Sequence, residues 1–195
     1  MRHLNVSIAT IVSIAYLSLV PIGCVGTTGV TQLLQGEAGQ QVTVKAADQT
    51  PPSGITLETQ GRPGGEVTLA VGAAPMTITI GRGDSYILRA VAEDVDGVKE
   101  VAIWGTSEKV CEDPATNTAS APGPGLSGVP IVKDMSSATA GGTATSKRYV
   151  SYVVKVDATC PSTRRFVSQT LTLFGEATNF SNLRSKGPSL TVTAH

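Results

Sequence analysis

Tyr86-Ile87-Leu88-Arg89-Ala90-Val91-Ala92-Glu93-Asp94-Val95-Asp96-Gly97-Val98-Lys99-Glu100-Val101-Ala102-Ile103-Trp104 is the stretch on which the fold turns. Its first half alternates. Tyr86, Leu88, Ala90 and Ala92 share one face, and Arg89 and Glu93 the other. Apolar residues recurring every second position mark a strand with one buried face. Asp96-Gly97 then supplies a tight turn, because glycine reaches positive φ without steric cost. Residues 98–104 follow as a second strand, apolar on both faces near the middle, which predicts a central position in a sheet.

The same period runs outward in both directions. Ile55 and Leu57 alternate with Thr56 and Glu58. Val67, Leu69 and Val71 follow, and then Met76, Ile78 and Ile80. Beyond the central pair, Val150, Tyr152, Val154 and Val156 face one way, while Ser151, Lys155 and Asp157 face the other. Val167, Leu171 and Leu173 continue the pattern. Leu190, Val192 and Ala194 end it, with Ser189, Thr191 and Thr193 opposite. No helical period is sustained after the first residues. Several short strands between turn residues predict an all-β, single antiparallel β-sandwich over residues 54–195. Alternation stops over residues 114–147, where Pro122-Gly123-Pro124-Gly125 and Ala140-Gly141-Gly142 predict a long flexible loop. A short strand over residues 129–132 is admissible inside it.

The N-terminus reads differently. Met1-Arg2-His3 precedes a run containing Ile8, Ile11, Val12, Ile14, Leu17 and Leu19, diluted by Ser7, Thr10, Ser13 and Ser18. A spanning helix needs about 20 predominantly apolar residues. This run is shorter, Pro21 and Gly23 end it, and no basic stop-transfer cluster follows. The layout predicts a cleaved export signal over residues 1–23, helical in its apolar part. Val20-Pro21-Ile22-Gly23-Cys24 resembles the lipobox of bacterial lipoproteins, in which a small residue precedes the lipidated cysteine. The resemblance implies that Cys24 carries the lipid, that the protein is exported, and that it is held at a bacterial membrane. Residues 24–53 then form a tether, with a short strand over residues 41–46 admissible within it. The alternative is ordinary cleavage and secretion, with Cys24 incidental. Setting Cys24 aside leaves Cys111 and Cys160. An even pair in an exported chain suggests a disulfide, and two free thiols are the alternative.

The segment 86–104, with its Ala92-Glu93-Asp94-Val95-Asp96-Gly97 turn, is similar to the B-to-C region of bacterial immunoglobulin-like domains. The segment 171–192, with Gly175-Glu176-Ala177-Thr178-Asn179, resembles their closing F–G hairpin. The resemblance implies an immunoglobulin-like sandwich.

Charge and composition narrow the function. Lys plus Arg equals Asp plus Glu at 15 each. Losing Arg2 with the signal leaves one more acid than base. Neither a nucleic-acid partner nor an electrostatic membrane patch is indicated. The histidines are His3 and His195, one in the signal and one at the last position. A Ser-His-Asp or Cys-His arrangement and a zinc site are therefore disfavoured. Glu93, Asp94 and Asp96 are the densest acidic group. They are candidates for calcium, which takes carboxylate oxygens from turns, or they form a solvated turn. No other cofactor is indicated. Arg82-Gly83-Asp84 spells an adhesive tripeptide, and also an ordinary turn. Asn179-Phe180-Ser181 is a glycosylation sequon, relevant in a eukaryotic host. Trp104 is a strand residue or a stacking platform. These readings converge on a non-enzymatic, lipid-anchored envelope module that binds a protein or glycan partner or serves a structural role. The rival is a secreted carbohydrate-binding or enzyme-associated sandwich domain.

Overall fold

The computed structural model describes residues 35–45, 47–119, 130–161 and 163–195. The signal segment and Cys24 lie outside them. Among the described residues, eleven strands form two sheets. They are β1 (Gln35–Thr43), β2 (Thr56–Gln60), β3 (Thr68–Leu69), β4 (Met76–Thr79), β5 (Ser85–Glu93), β6 (Val98–Asp113), β7 (Thr118–Ala119), β8 (Val132–Met135), β9 (Thr143–Lys155), β10 (Arg165–Asn179) and β11 (Arg184–Ala194). One sheet has the order β1-β9-β5-β2-β3, and the other β4-β11-β10-β6-β7, with β8 also against β6. Among the described residues there is no helix. The described residues form an all-β sandwich.

The core lies between the sheets. Ile55, Leu57, Leu88, Val150 and Val154 come from the first sheet and its approach. Val101, Ile103, Leu173, Leu190 and Val192 come from the second. Each fully buried aliphatic side chain contributes about 1.5–3 kcal/mol. In β5 and β11 the alternating faces read from the sequence are the buried ones. Tyr86, Leu88, Ala90 and Ala92 point inward, as do Leu190, Val192 and Ala194.

The structure corrects several expectations. The tether of residues 24–53 overlaps β1, which pairs antiparallel along β9 from Gln35↔Val150 to Thr43↔Thr143. A bulge hides this strand from a period-two reading, because the register shifts between Ala38 and Gln41. Gly39 sits in the bulge at φ 79°, and a Cβ there would meet Ser146 Oγ at 2.5 Å. The loop of residues 114–147 contains β7, β8 and the first residues of β9. Small residues carry β7 and the start of β9, and β8 is four residues with two charges at its centre, so apolar contrast is weak. Even so, Ala144 and Thr145 are buried. The short strand admitted over residues 129–132 lies three residues later, as β8. The remainder of that loop, 120–129, is outside the described residues.

The strand expected to end at Trp104 runs on to Asp113. In its second half, Thr106 to Lys109 is an unbroken polar run that still pairs with β10. Pairing is not wholly antiparallel, since β4 lies parallel to β11. At the start of β10 the buried residue is Phe166, and Val167 is only half-buried. The register shift between Phe166 and Ser168 moves the face by one residue. Ser151, expected on the wet face of β9, is buried.

Candidate functional site

The β5–β6 turn places Asp94 and Asp96 at one end of the sandwich. Asp94 Oδ1 accepts the Asp96 N–H at 2.8 Å, and the Asp94 carbonyl accepts the Gly97 N–H at 3.2 Å. The Asp94 N–H donates to the Ser146 carbonyl at 2.9 Å, docking the turn on β9. Gly97 has φ 101°, and a Cβ there would meet Ala144, Phe180 and Val42 within 3.2–3.4 Å. The turn glycine expected from the sequence is thus required twice, by φ and by space.

A third carboxylate joins these two. Asp48, on the segment between β1 and β2, brings an oxygen to the same place. One carboxylate oxygen each from Asp48, Asp94 and Asp96 lies within 4.8 Å of the others. Asp48 is held from two sides. Its Oδ1 accepts the Thr50 N–H at 2.9 Å and the Thr50 hydroxyl at 2.8 Å. Its Oδ2 accepts Asn179 Nδ2 at 2.8 Å, and its N–H donates to Ser181 Oγ at 2.8 Å. Asn179 is 1% exposed and ties off the β10–β11 hairpin. Its Oδ1 accepts the N–H groups of Ser181 and Leu183, and its Nδ2 also donates to the Thr50 carbonyl at 2.7 Å. The amide of the sequon is therefore engaged in the folded chain.

The electrostatics differ among the three. The Thr50 backbone N–H, and then the Thr50 hydroxyl and Asn179, hold the Asp48 carboxyl below its usual range against the cost of burial. Burial pushes Asp94 up, and the charges of Asp48 and Asp96 add to it. Lys45 Nζ bridges both oxygens of Asp96, at 2.6 and 2.8 Å, and that contact raises the lysine. Asp94 is 6% exposed, and its Oδ2 has no hydrogen-bond partner among the described residues.

Of the sequence candidates, Asp94 and Asp96 are brought together and Glu93 is not. Glu93 ends β5 on the opposite face and pairs with Lys147. It borders an open cleft of ≈ 290 Å³ with Asp94, Val95 and Ser146. The sequence reading missed Asp48, and took Asn179 as part of a sequon rather than as the residue that holds Asp48. Asp48-Gln49-Thr50 and Asn179-Phe180-Ser181 both have the local pattern of side chains that bond backbone two residues on. Nothing in that pattern brings two segments so distant in sequence together.

Cys111, near the end of β6, and Cys160, in the β9–β10 connection, form a disulfide with Cα atoms 6.0 Å apart. Arg82 donates to the Phe166 carbonyl at 3.1 Å and lies 4.8 Å over the Phe166 ring. Asp84 Oδ2 accepts the Gly81 N–H at 2.8 Å. Both charged arms of the tripeptide are engaged within the fold. Trp104 is half-buried on the outer face of the second sheet, directly opposite Phe174, which Lys186 covers at 4.0 Å.

No protein-family model matches the chain, and no curated protein matches it. Among solved structures it is similar to the CooA pilin subunit from enterotoxigenic Escherichia coli, at 12% identity and a TM-score of 0.31. The match covers 71% of this chain and 97% of that one. A likeness of that size carries no functional argument.

Proposed function

We propose that this protein is a non-enzymatic module of the bacterial cell envelope. It is an immunoglobulin-like sandwich anchored through a lipid on Cys24, and it binds a protein or glycan partner or serves a structural role. The observation that carries this reading is the Cys111–Cys160 disulfide. Disulfides persist in oxidising compartments, which supports export. The pairing also leaves Cys24 as the odd cysteine of three, at the end of the apolar segment and behind Gly23. Thioether-linked diacylglycerol on that sulfur, with an acylated amine, supplies the two or more chains that stable anchoring needs. The confinement of histidine to positions 3 and 195 supports a non-catalytic role.

The test is acylation in a bacterial host. Feeding an alkyne-bearing palmitate should label the wild-type protein, and Cys24→Ala should lose both the label and membrane fractionation. A Cys24→Ala protein that still fractionates with membranes sinks the anchoring claim. Thiol counting on the exported protein should find Cys111 and Cys160 oxidised. Affinity capture with the outer-surface fraction then identifies the partner.

A further inference from the structure

We infer that Asp48, Asp94 and Asp96 form a binding site for a calcium ion, and that the ion staples the segment between β1 and β2 onto the β5–β6 turn. The inference is independent of the lipid anchor.

Two observations carry it. The first is convergence. Three carboxylates from two segments nearly 50 residues apart place oxygens within 4.8 Å of one another. Asp48 and Asp94 are each more than nine-tenths buried. Like charges at such a distance repel, and burial removes the water that would screen them. The second is Asp94 Oδ2, closed off from solvent and without a donor among the described residues. A buried carboxylate oxygen left unpaired is costly, and a cation in contact with it removes the cost. Hydrogen bonds already satisfy Asp48, so repair is needed at Asp94.

Lys45 does not supply that repair. Its ammonium grips both oxygens of Asp96, and its side chain is 63% exposed, so it stands on the solvent side of the group. It offsets one of the three negative charges, which leaves two for a divalent ion to neutralise. Calcium suits the donor set. It accepts carboxylate oxygens in irregular geometry and completes its shell with water, whereas magnesium demands a near-ideal octahedron. Lys45 can swing away when the ion enters, so it acts as a competitor and keeps the affinity low. Sites of this kind in extracellular modules bind at about 0.1–1 mM.

The experiment is calcium titration of the full-length protein by calorimetry, with thermal melts in about 10 mM calcium or in chelator. The expected result is one ion per chain and a Tm rise of about 3–6 °C. Asp94→Asn should abolish both, and Glu93→Gln should preserve both. Lys45→Ala should tighten binding about two- to fivefold, the worth of one partly exposed charge. Absence of binding at about 10 mM calcium overturns the site, as does binding that survives Asp94→Asn. If Asp94→Asn does not fold, Asp96→Asn decides: calcium affinity undiminished in that variant overturns the site.

Discussion

Tyr86 shows how one atom can cost stability inside a well-filled core. Its ring is 3% exposed and packs between the sheets, but its hydroxyl has no partner among the described residues. Burial raises its pKa far above the usual phenol value. Removing the oxygen keeps the ring and discards the unpaired group. Tyr86→Phe should therefore stabilise the fold by about 1 kcal/mol, read as a higher urea midpoint at unchanged m-value. Asp157 is the reverse case. A hydrogen bond from Lys109, and then one from the Thr159 hydroxyl, hold its carboxyl at about 2, against an ordinary 3.8. A depressed folded pKa means that the stabilisation is present above the ordinary value and is lost as pH falls from there toward 2. Asp157 is half exposed, so water screening limits the contribution to about 1 kcal/mol or less. Melts of wild type and Asp157→Asn should differ at about pH 5 and converge by about pH 2.

At the scale of elements, β8 and β9 join the two sheets through Arg148. This side chain is 4% exposed and forms ion pairs with Asp134 of β8 and Glu37 of β1. Burial lowers the arginine and raises Asp134, so each charge depends on the other to remain in place. Removing one partner of a buried pair costs about 3–5 kcal/mol. Glu37 remains beside Arg148, so Asp134→Ala should cost less, about 2 kcal/mol. Chemical denaturation checks the magnitude. Hydrogen exchange should show the loss first as faster exchange at β8, whose pairing with β6 spans only Glu100 to Ile103. An effect below about 0.5 kcal/mol would mean that Glu37 alone satisfies the arginine. None of this was legible beforehand. Asp134 lay in the stretch read as loop, and Arg148 at its edge.

At the scale of the whole molecule, the Cys111–Cys160 bridge closes a loop of 49 residues across β9 and the described parts of β7 and β8. The chain-entropy estimate for such a loop is about 4 kcal/mol. Reduction, or the double change to serine, should lower the unfolding free energy by about that amount, with the deficit seen in denaturant melts. A loss under about 1 kcal/mol would mean that the reduced chain retains structure in this region.

The strands with large β-branched and aliphatic residues, β5, β11 and the second half of β9, were legible from alternation. Burial of one face follows from composition there, whatever the partner strand. The same holds for the Asp96-Gly97 turn, whose backbone demand is local, and for the pairing of two cysteines once the third is set aside. Only the tertiary structure decided the rest. It showed β1 and β8, where small or polar residues and a bulge remove the apolar contrast that period-two reading needs. It replaced Glu93 with Asp48 in the acidic group, and it found Asn179 holding that segment to the β10–β11 hairpin. Side-chain periodicity is a property of one strand. A site assembled across segments depends on register and topology, and those are set by the packing of the whole sandwich.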